Sequence, residues 1–171
     1  MRVYVGGLLA LGLAVVLQSA VVSQWHLLQG VVDLPLLVWA AWVTRERRFA
    51  PAWFWAVAMG ALWGLYSALP PGTGLLIYGG IGLVAQALQR RIWHPPYLLL
   101  FVLVFLGSLW VPGVSYLVVR FGLQAPIPFR DALVQVILPT VLLNLLAALP
   151  VYAVVAEWAD WVLPAEEPAG G

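Results

Sequence analysis

The side chains able to do chemistry in this chain are few and widely spaced. Asp33, in "VVDLPLLVWAAWV", is the one acid ahead of the charged "TRERR" segment. Pro35, two positions on, leaves it two roles. Asp is favoured as an N-terminal helix cap and Pro is tolerated in the first turn; equally, an acid in an apolar segment is a functional candidate by default, here as a polar contact for a partner. His26 and His94 fall on predicted loops at opposite ends and cannot share a metal ion. A Ser or Thr nucleophile needs a base within hydrogen-bond reach, and the chain has no Lys and no His inside a predicted helix. A proton relay would show a series of acids or histidines through the helices, and the central ones have none. Cys is absent, which removes disulfides, thiolate ligands and thiol nucleophiles. A non-enzyme without cofactor or metal is therefore expected. The remaining polar groups, Gln18, Ser19 and Asn144, suit hydrogen bonds between helices, each worth about 0.6 kcal/mol within a membrane.

Such sparse chemistry matches the composition. Of 171 residues, 64% are hydrophobic and 9% charged, against about 45–50% and about 25% in soluble domains. The chain reads as an integral membrane protein. A formal charge of +1 offers no basic stripe for nucleic acid. Each crossing needs about 20 apolar residues, and the charged and Pro/Gly-rich clusters cut the chain into six spans at about 3–22, 27–43, 50–69, 74–89, 96–119 and 132–156. Together they form one domain over 1–163, followed by a disordered acidic tail at 164–171. The uncharged run from 50 to 89 is divided at "PPGTG", and Pro112 with Gly113 marks a kink or break in the fifth span. The first span lacks a clear A-x-A cleavage site and is read as uncleaved.

Arginine placement predicts orientation. With the N-terminus inside, Arg2, Arg45, Arg47, Arg48, Arg90 and Arg91 lie within and Arg120 and Arg130 outside, which favours N-in, C-in. Trp25, Trp53, Trp55, Trp93, Trp110, Trp158 and Trp161 fall near span ends, as an interfacial belt would.

Small residues are spent regularly. In "AVAMGALWGLYSALPPGTG", Ala56, Gly60, Gly64 and Ala68 recur every four residues, and Gly6, Ala10 and Ala14 do the same in the first span. Rows of this kind let two helix backbones approach closely in lipid. Either row can serve packing inside the bundle or dock a helix of another protein, with Trp39 and Trp42 as large anchors nearby. Replacing Gly60 or Gly64 by Leu is expected to block that approach.

Taken in order, these features resemble the MreD family of rod-shape-determining membrane proteins. The matching residues are Asp33 at the start of the second helix, the charged turn after it, Gly60 and Gly74 in "AMGALWGLYSALPPGTGLLIYGG", and Asn144 ahead of Pro150 in "NLLAALPVYAVV". Gly64 stands where the family commonly has an Asp, so no helix-three acid acts here. The resemblance implies a non-enzymatic scaffold of the bacterial cell-elongation (rod) complex in the cytoplasmic membrane. It would bind the transmembrane helix of MreC and couple MreB filaments to the RodA and class B penicillin-binding protein peptidoglycan synthase. On this reading Ala10, Ala14, Asp33, Trp39, Trp42, Gly60, Gly64 and Asn144 are the candidate partner-binding residues. The all-α bundle of about six helices is also similar in architecture to substrate-binding subunits of energy-coupling-factor vitamin transporters. Such a binder needs several convergent polar groups; Gln86, Gln89, Ser108, Ser115, Tyr116, Gln135, Thr140, Asn144 and Tyr152 are thin provision, which favours the scaffold.

Overall fold

The computed structural model describes residues 1–20, 30–91, 95–126 and 128–163. Among these the regular structure is helical: α1 (Arg2–Ala20), α2 (Leu34–Arg45), α3 (Ala52–Tyr66), α4 (Thr73–Arg91), α5 (Pro96–Leu117) and α6 (Phe129–Val162). Trp25, His26, Gln29, Trp93, His94 and the tail expected at 164–171 lie outside the described residues.

The element at the centre is α2. Nine of its twelve residues are buried, from Pro35 to Thr44 with Val38 excepted, and a helix apolar on every side belongs in an interior. It packs against α1, α3, α5 and α6. Its start is sharper and later than the span expected from residue 27, because Asp33 accepts a hydrogen bond from the Leu36 N–H at 3.0 Å and Pro35 occupies the first turn.

Hydrogen bonds tie the helix ends together and define the two ends of the bundle. The Tyr4 hydroxyl of α1 donates to Phe49 O (2.9 Å), the Trp158 indole of α6 to Gly6 O (3.1 Å), and the Gln89 amide of α4 to Val43 O (2.8 Å). Arg45 pairs with Asp160. The start of α1 and the ends of α2, α4 and α6 therefore meet at one end, where Arg45, Arg90 and Arg91 also lie. Arg120 and Arg130 belong to the far ends of α5 and α6.

Of the regular row expected on the third helix, Ala56 and Gly60 are consumed inside the fold, and Ala68 falls beyond the end of α3 and is exposed. A Cβ on Gly60 would lie 2.6 Å from Gly74 O and 3.0 Å from Leu75 Cα, and one on Gly82 would strike the Ala56 methyl. α3 and α4 thus meet backbone to backbone as a hairpin. Gly72 in its turn has φ +88°, a left-handed conformation that glycine adopts without cost. Gly64 differs: nothing lies within 4 Å of its added Cβ. The two glycines, expected to act alike, are separated by the fold. Gly60→Leu is predicted to destabilise by about 2–3 kcal/mol, since backbone cannot yield as a side chain can. Gly64→Leu should stay within about 0.5 kcal/mol of wild type. Thermal unfolding in detergent distinguishes the two, and equal losses would contradict the packing described.

Prolines interrupt the remaining helices less than their number suggests. α5 runs through Pro112 without a break and ends in a π-helical turn, Val118–Gly122. α6 starts at Phe129 rather than 132 and runs to Val162 rather than 156. A π-helical stretch, Ala132–Ile137, precedes Pro139 and accommodates the proline ring against the preceding turn.

The exterior inverts the soluble pattern. Leu65, Leu76, Leu83, Phe121, Leu146 and Val154 each expose two thirds or more of their surface. Three helical stretches, Arg2–Ala20, Pro96–Gly122 and Phe129–Val162, are long and apolar enough to cross a membrane. α2 and α3 are shorter, at 12 and 15 residues, or roughly 18 and 22 Å at 1.5 Å per residue.

Candidate functional site

The N-terminus of α2 ends inside the bundle, and its exposed backbone donors must be met there. Pro35 has no N–H, and the Leu37 N–H returns to Asp33 O at 3.0 Å. Three donors remain. The Leu36 N–H bonds the Asp33 carboxylate, the Leu34 N–H donates to Gln18 Oε1 of α1 at 2.9 Å, and the Asp33 N–H donates to Asn144 Oδ1 of α6 at 2.8 Å. Asn144 Nδ2 in turn donates to Ser108 Oγ of α5 at 2.8 Å, and both residues are fully buried. Four helices are joined through one helix start. Asp33 and Asn144, singled out from the sequence, are brought together here. Of the two roles open to Asp33, its side chain fills that of the helix cap, and its backbone N–H binds Asn144 of the same chain.

Below this seam a lateral groove of about 590 Å³ opens between α1, α2 and α6. Ala10, Ala14 and Leu17 form the α1 wall, Leu34 and Val38 the floor, and Pro150, Val151, Val154 and Trp158 the α6 wall. Its lining is apolar throughout. The two alanines make it possible, since longer side chains at one-turn spacing would fill the gap between α1 and α6. Its ends are closed by polar contacts: the Trp158 indole on Gly6 O at one, the α2 cap at the other.

Two sets of candidates are corrected by this arrangement. Trp39 and Trp42, expected as anchors for a partner, expose no surface. They anchor the bundle instead, Trp39 against Tyr78 (ring centroids 6.2 Å apart) and Trp42 against Trp55 (5.5 Å). Trp55, counted with the interfacial belt, is likewise wholly buried. The row on α3 is not an open groove, because Gly60 is covered by Gly74 of α4. Of the two rows of small residues, the one on α1 borders free space.

Glu46 is the residue that sequence reading missed. It stands among arginines in "TRERR", where a lone acid looks like part of a solvated charged turn, yet it is 1% exposed. One carboxylate oxygen accepts the Phe49 N–H (2.6 Å) and the Ala50 N–H (3.2 Å), and the other accepts the Trp55 indole N–H (2.6 Å). The carboxylate thereby holds the turn that leads into α3. The glutamines are used similarly: Gln86 Oε1 accepts the Ala52 N–H at 2.9 Å, and Gln89 bonds Val43 O. Among the described residues no group of three His, Cys, Asp or Glu side chains could hold a metal ion.

Fold and site together define a helical membrane protein, with an apolar groove on its flank and polar side chains engaged in closing its own helix ends. No family model, curated protein or solved structure matches the chain.

Proposed function

We propose that this protein is a non-enzymatic membrane scaffold of the MreD kind. It would cross the bacterial cytoplasmic membrane six times with both termini inside, and receive the single transmembrane helix of MreC in the groove bordered by Ala10 and Ala14. Through MreC it would link cytoplasmic MreB filaments to the RodA and class B penicillin-binding protein synthase that builds the wall during elongation. The observation that carries this reading is the groove itself: apolar, open along its side, and walled on one side by small residues of α1. Apolar surfaces with small residues are where membrane helices associate, by close van der Waals packing. The orientation is supported by the clustering of Arg45, Arg90 and Arg91 at one end, the asymmetry that cytoplasmic faces display.

The vitamin-transporter reading has less to stand on. Of the polar groups that a buried ligand would need, Ser108 and Asn144 bond each other, and Gln86 and Gln89 bond backbone.

Co-purification in detergent tests the proposal. The tagged protein is expressed with MreC of the same organism, and separately with the energising subunits of a transporter. Recovery of MreC, lost when its transmembrane helix is exchanged, supports the scaffold; recovery of the transporter subunits instead would overturn it. Ala10→Leu is predicted to lower MreC recovery at least about tenfold, equivalent to about 1.4 kcal/mol, while Gly64→Leu, on open surface, leaves it unchanged. Thermal unfolding shows that both variants are folded. Undiminished recovery with Ala10→Leu would remove the groove from the account.

A further inference from the structure

At the arginine-bearing end of the bundle most charged side chains are already engaged. Arg45 pairs with Asp160, and Arg47 turns its Nε back onto Thr44 O at 3.2 Å. Glu46, the acid nearest these arginines in sequence, faces inward onto the Phe49, Ala50 and Trp55 N–H groups. Arg48, Arg90 and Arg91 are left over: each is exposed, and among the described residues none of them has a carboxylate partner. Glu157 stands on α6, which packs on α1, α2 and α5. The fold brings the three arginines together. Gln86 of α4 accepts the Ala52 N–H at the start of α3, and Gln89 donates to Val43 O at the end of α2. Arg90 and Arg91 follow directly, beside the turn that carries Arg48. The backbone beneath them is held at three points, by the two glutamines and by the Glu46 carboxylate.

The geometry points to a binding face for anionic phospholipid on the α3–α4 hairpin, with Arg48, Arg90 and Arg91 on the headgroup phosphate and the aromatic rings beside them on the glycerol and upper acyl chains. Phe49 and Trp53 expose 39% and 49% of their surface next to Arg48, and further along the hairpin Val57 and Leu83 are exposed as well. Cationic, then aromatic, then aliphatic is the order in which a lipid presents phosphate, interface and chain. Guanidinium forks match phosphate oxygens in pairs. A zwitterionic lipid carries the same phosphate beside its own ammonium, so a face of uncompensated arginines prefers the lipid with net negative charge. An acidic peptide or a nucleic acid would satisfy the arginines and leave the aliphatic surface below them unmatched. The face is separate from the groove between α1, α2 and α6.

The test uses the full-length protein in phosphatidylcholine vesicles that contain brominated phosphatidylglycerol, whose bromines quench nearby tryptophan; the difference between wild type and Trp53→Phe isolates the signal of Trp53. Brominated phosphatidylglycerol is expected to quench Trp53 several-fold more effectively than brominated phosphatidylcholine at the same mole fraction. Arg48→Gln and Arg90→Gln should each lower that preference by up to about fivefold, the share of one basic residue at an anionic surface, and salt at about 0.5 M should remove most of it. Arg120→Gln, at the far end, should leave it unchanged. Equal quenching by the two lipids would overturn the inference, as would a preference that survives both high salt and the combined replacement of Arg48, Arg90 and Arg91. The salt arm needs no variant, so it decides even where a variant fails to fold. An equal loss in Arg120→Gln would reduce the effect to overall charge and overturn the site. Polyglutamate that abolishes the preference at low concentration would assign the arginines to an acidic protein partner, again overturning it.

Discussion

Replacing Glu46 by alanine should destabilise the protein by about 3 kcal/mol or more, because three donors lose their acceptor together. The Phe49 and Ala50 N–H groups and the Trp55 indole all converge on this carboxylate, and the site is buried. The loss should spread. Trp55 packs edge-on to Trp42 and Phe54, with centroids 5.5 and 5.2 Å away, and stacks near Tyr4 of α1, so an indole released from Glu46 loosens the contact of α1, α2 and α3 at one end. Glu46→Gln keeps a carbonyl acceptor but turns an NH2 group toward the remaining donors, so about half the loss is expected. Thermal unfolding in detergent, followed by tryptophan fluorescence, gives the ranking wild type above Glu46→Gln above Glu46→Ala. An unchanged midpoint for the alanine variant would mean that the three bonds contribute nothing net.

Asn144→Leu is the second large effect, expected at about 1–3 kcal/mol. Leucine has similar volume and avoids a cavity, so the change isolates the polar term: the Asp33 N–H and the Ser108 hydroxyl both lose a partner. Individual hydrogen bonds between membrane helices average about 0.6 and reach about 1.7 kcal/mol, so two of them set the upper part of this range. The distribution matters more than the total. Ser108→Ala combined with Asn144→Leu should cost little beyond Asn144→Leu alone, as one amide serves both contacts. Amide exchange at Asp33 should accelerate in Asn144→Leu and stay near wild type in Ser108→Ala. Equal protection in both variants would show that Asn144 does not cap α2.

The effect at Asn144 was partly legible beforehand. An amide in an otherwise apolar helix requires a partner, and Asp33 ahead of Pro35 announces a helix start. That these two meet was not legible, since they are 111 residues apart and nothing in either segment names the other. Glu46 shows the opposite failure. Its neighbours Arg45, Arg47 and Arg48 signal a solvated turn, and only the return of α3 beneath that turn buries the carboxylate. Pro112 with Gly113 reads as a kink or a break, and α5 continues through it without a break.

Composition and periodicity by themselves determined the helical class, the apolar exterior, the division of the long uncharged run at "PPGTG", and the absence of cysteine chemistry. These are properties of single segments, decided by what each can bury or expose. The rows of small residues were equally plain, but which of them is free was decided by the tertiary structure alone. Gly60 and Ala10 carry the same message along the chain: a backbone can come close here. Close approach takes two helices, and the identity of the second is a property of the fold. α4 covers Gly60 through Gly74, while the walls beside Ala10 and Ala14 stand apart and leave the groove.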